Sequence, residues 1–478
     1  MDIQLTIAGR RDLTGQLYRQ LRTAIVDGRL PARERLPSTR DLARQLGVSR
    51  KTPLEAYERL IAEGFLISHA GDGTYVAEGL APAPVSTRAR SVASPKAAAV
   101  WKRVPEALSM PKPGTQLTYD YLGGVTDKAL FRGDVWRRCI NHALRVQARG
   151  RGMYHDPGGE QELRLAIARY VGFNRGVTCN WQDVVATQGA QQALDLAARV
   201  MVNPGDTVAV EEPGYPPVRS ALLALGARVV PVRVDNEGLV VSALPDHARL
   251  VYVTPSHQFP LGMPMSLERR IALLEWASAR GALIVEDDYD GEFRFEGRPV
   301  ESLRSLDRSG VVAYVGTFSK TIFPELRMGY VIPPESLATD FLKAKQINDW
   351  HGNSLTQAAL ARFMLDGDFG KHLRRMHRYY AERREALLGH LEGELSRWLE
   401  PIAPVAGIHL AAMLRKGLSE DELIAKARIE SIGLYGISRF YAGRRARQGI
   451  IFGYGDISVA AIHASMSRLK SVLASLSL

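Results

Sequence analysis

The sequence predicts an α/β protein of two domains joined by a linker, and three observations support this prediction. From about residue 115 to residue 478, apolar strand-like runs alternate with helical patterns, as in a doubly wound, mostly parallel sheet. Residues 1–80 instead carry three helical patterns followed by two short strand-like runs. Between them, residues 81–114 are rich in Ala, Pro, Ser and Arg, a composition typical of flexible linkers.

Composition narrows the class of protein without fixing its function. The net charge of +11 is uneven, because residues 81–114 hold six Lys and Arg against one Glu. Residues 1–80 are nearly balanced, so charge alone does not indicate nucleic-acid binding there. No apolar run is long enough to span a membrane, and no signal peptide is evident. Two cysteines without a CxxC pair indicate a reducing cytoplasm and no metal site.

The first domain reads as three helices and a hairpin. A stripe that includes Leu17 and Leu21 predicts a helix over 13–28. A second helix begins at Ser38, where Asp41 completes a capping box, and ends at Gly47. Ser49 caps a third helix over 50–63. The predicted buried stripe of this helix is Leu54, Tyr57, Leu60 and Ile61. Two short strand-like runs follow, and Gly71-Asp72-Gly73 between them predicts a hairpin turn.

This arrangement is that of a winged helix-turn-helix, whose third helix enters the DNA major groove. We expect Arg50, Lys51 and Thr52 at the start of that helix to meet bases and phosphates. Ser49 and the helix N-terminus can hold a phosphate. Further candidates for DNA contact are Ser38, Arg40 and Gly71. The alternative is a small helical packing domain with ordinary surface arginines.

Residues 17–76 resemble the DNA-binding domain of GntR-type regulators. The segments that carry the resemblance are RLPSTRDLA, LGVSRKT and GDGTYV. Pro53 departs from the pattern, since such proteins usually carry a β-branched residue there. Proline is tolerated in a first helical turn, so we expect little effect.

In the second domain, a lysine follows the end of a predicted strand. The apolar run 311–315 ends at Gly316, and Thr317, Ser319 and Lys320 come next, with Arg327 seven residues later. A partly desolvated lysine can form a Schiff base with an aldehyde cofactor, and hydroxyls with an arginine can hold its phosphate. A solvated surface lysine is the alternative.

An acidic strand end upstream favours the cofactor interpretation. Residues 282–290 read ALIVEDDYD. Asp287 can face the ring nitrogen of pyridoxal phosphate, which keeps the ring an electron sink, and Tyr289 can lie near its ring oxygen. An acidic loop or a metal site is the alternative. Two further segments fit: Gly189 precedes a helix whose Ala190 and Gln191 N–H groups could hold phosphate, and Tyr215 could stack on the ring.

Residues 115–478 resemble fold type I aminotransferases, with a small C-terminal lobe from about residue 400. With the first domain, the chain resembles the MocR subfamily of GntR regulators, the group that includes GabR, TauR and PdxR. The characteristic segments are VTPSHQFPLG, EDDYDGEFRF and GTFSKTIFPELRMGY. The resemblance implies that Lys320 carries pyridoxal 5'-phosphate and that the residues named above surround it. It also implies a head-to-tail homodimer, in which Tyr154, expected to open a helix, reaches the partner's cofactor.

Two departures from the aminotransferase pattern indicate a sensor. Phe259 stands where such enzymes carry an asparagine that bonds the ring oxygen, although His257 could substitute. The late strand, Gln448 to Ile451, lacks their substrate-binding arginine, and Arg439 is our candidate for an effector's carboxylate, with Arg447 as its rival. We therefore expect a DNA-binding regulator that senses the cofactor itself or an amine that forms an external aldimine with it. An aminotransferase with an accessory DNA-binding domain, or a purely structural cofactor, is the alternative.

Overall fold

The computed structural model describes residues 5–7, 9, 11–79, 95–105, 117–296, 301–402, 405–443 and 446–476. The chain forms two compact units, Met1–Lys96 and Ala97–Leu478. Most of the predicted linker, 81–114, lies outside the described residues. The predicted domain limits at residues 80 and 114 stay predictions.

The first unit contains the three predicted helices and the predicted hairpin. Its elements are α1 (Leu13–Val26), α2 (Thr39–Leu46), α3 (Lys51–Ala62), β1 (Arg35–Leu36), β2 (Leu66–His69) and β3 (Gly73–Val76). The two-residue strand β1 was not predicted. It pairs antiparallel with β3, so the sheet order is β1-β3-β2. A strand this short lacks the alternation by which longer strands are identified in a sequence.

Helix α2 begins and ends where the sequence indicates. The Ser38 hydroxyl accepts a hydrogen bond from the Asp41 N–H at 3.1 Å, which satisfies a donor that the helix itself leaves unpaired. Gly47 ends α2 in the left-handed conformation, with φ of 63°. A residue without Cβ adopts this conformation at least cost, so the turn between α2 and α3 is fixed locally.

One apolar core holds this unit together. Leu17 and Leu21 of α1 and Leu60 of α3 are fully buried in it, and Val76 of β3 closes it. Burying a leucine side chain contributes roughly 1.5–3 kcal/mol. The Tyr57 hydroxyl donates a hydrogen bond to the Pro37 carbonyl at 3.0 Å, which ties α3 to the segment before α2.

The second unit is built on an eight-stranded, mostly parallel sheet, as the sequence predicts. The strands of this unit are β4 (Tyr119–Asp120), β5 (Val185–Thr187), β6 (Thr207–Glu212), β7 (Arg228–Asp235), β8 (Gly238–Leu239), β9 (Leu250–Val253), β10 (Leu283–Asp288), β11 (Val312–Thr317), β12 (Gly329–Ile332), β13 (Leu399–Ile402), β14 (His409–Leu414), β15 (Ile432–Gly433), β16 (Tyr435–Gly436) and β17 (Gly449–Gly453). The large sheet has the order β5-β12-β11-β10-β9-β6-β7-β8. Strands β7, β6, β9, β10 and β11 run parallel, whereas β12 and β8 are antiparallel to their neighbours.

Helices pack on both faces of this sheet. The helices of the second unit are α4 (Gly133–Gln147), α5 (Gln161–Arg175), α6 (Ala190–Met201), α7 (Pro216–Ala224), α8 (Leu267–Arg280), α9 (Leu303–Leu306), α10 (Ala338–Asp349), α11 (Ser354–Leu365), α12 (Asp368–Glu392), α13 (Glu420–Ile429) and α14 (Val459–Leu476). Successive strand residues belong to opposite cores: Val285 packs with Leu194 of α6, and Ile284 with Leu273 of α8. Strands covered on both faces are continuously apolar, which is why they stand out in the sequence.

The predicted small lobe is present at the C-terminal end. Its sheet has the order β13-β14-β17-β16, and its core includes Tyr380 of α12, Phe452 of β17 and Leu469 of α14. Strand β4, from the beginning of the unit, pairs with β15 next to it. The small lobe is therefore built from both ends of the unit's chain.

The predicted helix at Tyr154 is wrong. Tyr154 lies in a loop and is 75% exposed, and α5 begins only at Gln161. Pro157 and Gly159, whose φ is 100°, lie between them. This sequence cannot continue a helix, so only the later part of the predicted pattern, with Leu163 buried, is helical.

Candidate functional site

Exposed cationic side chains lie at the start of α3. Arg50 is the residue before the helix and Lys51 its first residue, and both are exposed. The Ser49 hydroxyl accepts a hydrogen bond from the Lys51 N–H at 3.4 Å. The other predicted DNA contacts that are exposed are Ser38, Arg40, Ser49 and Gly71. All of these positions are accessible to a polyanion.

Thr52, the remaining predicted DNA contact, is only 7% exposed, and its contact with DNA stays a prediction. Leu54 and Ile61, expected to be buried, are 43% and 38% exposed. The inward face of α3 is instead formed by Pro53, Ala56, Tyr57 and Leu60, which have the i, i+3, i+4, i+7 spacing of one helix face. In the sequence, Pro53 is explained by its place in the first helical turn, so its place in the buried stripe was not predicted.

The predicted cofactor residues meet at one edge of the large sheet. Parallel strands bring their carboxyl ends to the same edge, and β10 and β11 are paired so that Asp287 lies opposite Val315. Lys320 follows the end of β11 by three residues, and Tyr215 follows the end of β6. The strand pairing therefore assembles side chains that are far apart in the sequence.

Asp287 is a buried carboxylate with one oxygen committed and one free. Its residue is 4% exposed, and the Tyr252 hydroxyl donates a hydrogen bond to Oδ2 at 2.8 Å. Its Oδ1 has no hydrogen-bond partner in the described part of the chain. Burial, together with the neighbouring Asp288 and Asp290, raises the pKa of Asp287 to about 7, against the Tyr252 hydrogen bond and Lys320. A cationic N–H donor would stabilise the charged form of this buried carboxylate and supply the missing hydrogen bond to Oδ1.

Lys320 is held by a backbone carbonyl. Its Nζ donates a hydrogen bond to the Gly124 carbonyl at 2.8 Å. A Cβ at Gly124, where φ is 81°, would lie only 2.5 Å from Nζ, so the close approach requires glycine. Burial lowers the pKa of Lys320, although Asp290 and Asp287 oppose this. A lowered pKa makes the free, nucleophilic amine more abundant near neutral pH.

Beside Lys320 lies a polar cluster of Tyr289, His257, Asp290 and His409. The Nδ1 of His257 is 2.9 Å from an Asp290 oxygen and 3.0 Å from the Tyr289 hydroxyl, which also donates to the His257 carbonyl at 2.9 Å. The Nε2 of His257 is buried and has no partner among the described residues. His257 therefore has one ring nitrogen available to a ligand.

His257, Asp290 and His409 could also hold a metal ion, since their ligand atoms lie within 4.8 Å of one another. The His409 Nε2 lies 3.2 Å from the Pro260 carbonyl, and burial lowers the pKa of His409 to about 3, so this ring is neutral at ordinary pH. Hydrogen bonds within the chain already engage one nitrogen of each histidine and the Asp290 carboxylate. No metal is expected from the sequence, and this stays a prediction.

The predicted phosphate residues surround the start of α6. Gly189, with φ of 74°, precedes the helix, so the Ala190 and Gln191 N–H groups lie in its first turn, where N–H groups lack helical partners. An Arg327 Nη2 donates to the Gln188 carbonyl at 3.1 Å. In the turn after β11, the Thr317 hydroxyl accepts a hydrogen bond from the Ser319 N–H at 3.1 Å. The strand pairing thus brings an anion-binding helix end and an arginine together.

Aromatic rings connect the large lobe to the small one. The Tyr215 ring lies 5.6 Å from the Phe259 ring, and the Phe259 ring 5.0 Å from that of Phe440, both edge to face. Burial raises the pKa of Tyr215 to about 12. Arg439, next to Phe440, is exposed, and so is Arg447. The structure does not bring Tyr154 into this set: its ring stacks on Trp350, with centroids 5.0 Å apart.

Sequence reasoning missed four residues of the site: Gly124, Tyr252, Asp290 and His409. The Gly123-Gly124 pair was a usable signal for a close backbone approach. Tyr252 gave none, since a tyrosine in an apolar strand normally indicates core. His409 lies in the small lobe, and its approach to Asp290 depends on tertiary packing alone.

Comparisons with known proteins define the class. Residues 13–76 match the family model described as "Bacterial regulatory proteins, gntR family", and residues 128–447 match "Aminotransferase class I and II". The chain is thus a helix-turn-helix regulator fused to an aminotransferase-like domain.

Whole-chain relatives have the same organisation. The chain is 38% identical to the probable rhizopine catabolism regulatory protein MocR of Rhizobium meliloti, over 96% of this chain and 94% of that protein. It is 34% identical to the HTH-type transcriptional regulator TauR of Rhodobacter capsulatus, over 98% of each. This chain therefore belongs to the MocR subfamily of GntR transcriptional regulators, as the sequence predicts.

Solved structures of aminotransferases share the fold of the second unit. A kynurenine aminotransferase of Pyrococcus horikoshii, solved with PMP, superposes with a TM-score of 0.70 and 28% identity, covering 76% of this chain and 92% of that one. LysN, an α-aminoadipate aminotransferase of Thermus thermophilus, gives a TM-score of 0.69 at 28% identity, covering 79% and 95%. None of the described helices of the regulator has the length and apolar character needed to cross a bilayer.

The raised pKa of Asp287 predicts a pH-dependent stability of the cofactor-free protein. A carboxyl with a pKa of about 7 when folded and 3.8 when unfolded stabilises the fold fully below pH 3.8, and this contribution is lost as the pH rises through 7. Asp287→Asn should therefore gain stability relative to the unaltered protein as the pH rises from 5 to 7, by about 3 kcal/mol, and no further above pH 7.

Urea unfolding at several pH values measures this difference. All six tryptophans lie beyond residue 100, so their fluorescence reports the second unit alone. The exposed Asp246→Asn serves as a control that should show no such trend. Parallel stability curves for Asp287→Asn and the unaltered protein would contradict the account of this site.

Proposed function

We propose that this regulator holds pyridoxal 5'-phosphate at Lys320 and changes its binding to its own promoter DNA when the cofactor, or an amine that reacts with it, occupies the site. The observation that carries this proposal is the buried Asp287 Oδ1, which has no hydrogen-bond partner among the described residues and lies at the sheet edge where Lys320 follows β11. A protonated pyridine nitrogen is the donor that this oxygen lacks. When bound, the cofactor supplies an aldehyde that reacts with amines and a ring that accepts electrons.

The other residues fit the remaining parts of the cofactor. Tyr215 would cover the ring face, and the Tyr289 hydroxyl and the free Nε2 of His257 would lie toward the ring oxygen. His257 would thus take the place of the asparagine that Phe259 replaces. The phosphate would be held by Ala190, Gln191, Thr317, Ser319 and Arg327.

A homodimer would complete the site. Tyr154 is 75% exposed and stacks on Trp350, which is itself 52% exposed. Met153 and Ile347 are exposed nearby in the sequence, at 71% and 88%. Exposed apolar and aromatic side chains are typical of protein interfaces. A head-to-tail homodimer in which Tyr154 reaches the partner's phosphate accounts for them.

The effector would be an amine that carries a carboxylate. Arg439 is exposed beside the aromatic rings that join the two lobes. Its guanidinium can donate two hydrogen bonds to a carboxylate. Arg447, exposed before β17, is the rival for this role. Pyridoxal phosphate itself remains the other candidate signal.

Efficient transamination is not expected, because Phe259 cannot donate the hydrogen bond of the enzymes' asparagine and β17 contains no arginine. The similarity to aminotransferase structures favours an enzyme as the second candidate function. Losing these contacts weakens stabilisation of the transition state more than binding. A slow reaction would leave the effector in place long enough to hold the altered conformation.

We predict that the purified protein has a visible absorption band from the bound cofactor, and that borohydride fixes the cofactor covalently at Lys320. Lys320→Ala should lose the band and the adduct while remaining folded, because it removes the amine that would form the bond. Peptide mass spectrometry after reduction identifies the modified residue. The exposed Lys343→Ala is the matched control and should keep both. A reducible adduct that persists in Lys320→Ala would contradict the assignment.

We predict that Arg50→Ala weakens binding to the protein's own promoter. Each lost phosphate contact should reduce the slope of log affinity against log salt by about one unit. Gel-shift titrations at several salt concentrations measure this slope. Arg19→Ala on α1, which removes an exposed arginine paired with Asp12, should leave it unchanged. An unaltered slope for Arg50→Ala would exclude this arginine from the DNA contact.

We predict that amino-acid effectors perturb the cofactor spectrum without sustained turnover. The assay supplies a panel of amino donors with pyruvate or 2-oxoglutarate and follows product over hours. Catalysis should stay well below about 1 per second, the low end of ordinary enzymes. Faster sustained turnover would place the protein among the aminotransferases that its second unit resembles.

A further inference from the structure

Residues 438–443, which carry Arg439 and Phe440, are anchored at both ends by carboxylates. At the start, the Ser438 hydroxyl donates to Glu420 at 2.5 Å, and the Ser438 N–H donates to the same carboxylate at 3.2 Å. Glu420 is 4% exposed and also accepts the Gly449 N–H at 3.0 Å. This anchor lies within the small lobe, so it fixes the segment to β17.

The other anchor crosses to the large lobe. Glu212, the last residue of β6, accepts hydrogen bonds from the Ala442 N–H at 2.8 and 2.9 Å and from the Gly443 N–H at 2.8 Å. The Gly214 N–H donates to the Phe440 carbonyl at 3.2 Å. Hydrogen bonds to an ionised acceptor are roughly twice as strong as neutral ones. Glu212 therefore carries most of the polar attachment of this segment to the large lobe within the described structure.

This attachment meets the turn that carries Tyr215. Glu212 lies three residues before Tyr215, which immediately precedes α7. The ring of Phe440 is joined to that of Tyr215 through Phe259, by contacts of 5.0 and 5.6 Å. The exposed arginine and the cofactor-facing tyrosine are thus connected both by the Glu212 hydrogen bonds and by a chain of rings.

We propose that Glu212 is a positioning residue that sets which effectors the regulator accepts, an inference that rests on the proposed function. By fixing residues 438–443 to the Tyr215 turn, it fixes the separation between Arg439 and the cofactor. A fixed separation selects amines whose carboxylate lies at one distance from the amino group. The effector class is therefore amino acids of one chain length.

The experiment compares the unaltered protein with Glu212→Ala, Glu212→Gln and a control, Glu268→Ala, which removes an exposed glutamate in the first turn of α8. In the cofactor-free proteins, hydrogen exchange at Ala442 and Gly443 is measured. Glu212→Ala should speed this exchange by about tenfold or more, equivalent to about 1.4 kcal/mol. Glu212→Gln, which keeps one acceptor oxygen, should lie between, and the control should match the unaltered protein.

The same proteins are then loaded with pyridoxal phosphate and titrated with glycine, β-alanine, 4-aminobutanoate and 5-aminopentanoate. The unaltered protein should prefer one length by about tenfold or more, and Glu212→Ala should reduce this preference to about twofold, with its cofactor band unchanged.

Unchanged exchange would show that Glu212 does not anchor the segment. Faster exchange with intact selectivity would reduce Glu212 to a structural role. Absence of any preference in the unaltered protein would overturn the inference while leaving the cofactor proposal standing. Absence of a cofactor band in the unaltered protein would instead refute both.

Discussion

The candidate cofactor site depends on one interaction, the hydrogen bond from the Tyr252 hydroxyl to a buried Asp287 carboxylate. It holds one oxygen at 2.8 Å and leaves the other without a partner in the described structure. A buried carboxylate oxygen without a partner destabilises the fold, and a cationic ligand that pairs with it offsets this cost. In the proposed function, a group with both an aldehyde and a protonated nitrogen would offset this cost, because the strand pairing places Lys320 at the same edge as Asp287.

Local signals made much of the architecture predictable. Strands β10 and β11 were recognised as continuous apolar runs because they are buried on both faces, and their polar ends located Asp287 and Lys320. The ends of α2 were also predictable from local sequence, because Ser38 caps its start and Gly47 ends it. The sequence pattern did not show which face of α3 is buried. Leu54 and Ile61, expected to be buried, are exposed, whereas Pro53 and Ala56 are buried. The sequence also could not supply the approach of His409 to Asp290, which depends on the packing of two lobes.

Several polar contacts join the two lobes, and some of them lie at the candidate site. Asp290 accepts the Ile408 N–H of the small lobe at 3.2 Å, and Glu212 accepts the N–H groups of Ala442 and Gly443. A ligand that alters the charge of Lys320 acts on Asp290, the carboxylate that most raises its pKa. In the proposed function, a change of charge at Lys320 would therefore act on a carboxylate that also holds the small lobe.

The affinity of the cofactor-free protein for pyridoxal phosphate tests the central claim most directly. Spectral titration should compare the unaltered protein with Asp287→Asn and Asp287→Glu. If the unpaired Oδ1 awaits a pyridinium N–H, replacing the carboxylate by an amide should weaken binding by about a hundredfold or more, as for the loss of a buried charge-assisted hydrogen bond. Asp287→Glu, which keeps the charge, should retain more affinity than Asp287→Asn. Equal dissociation constants for Asp287→Asn and the unaltered protein would contradict the account.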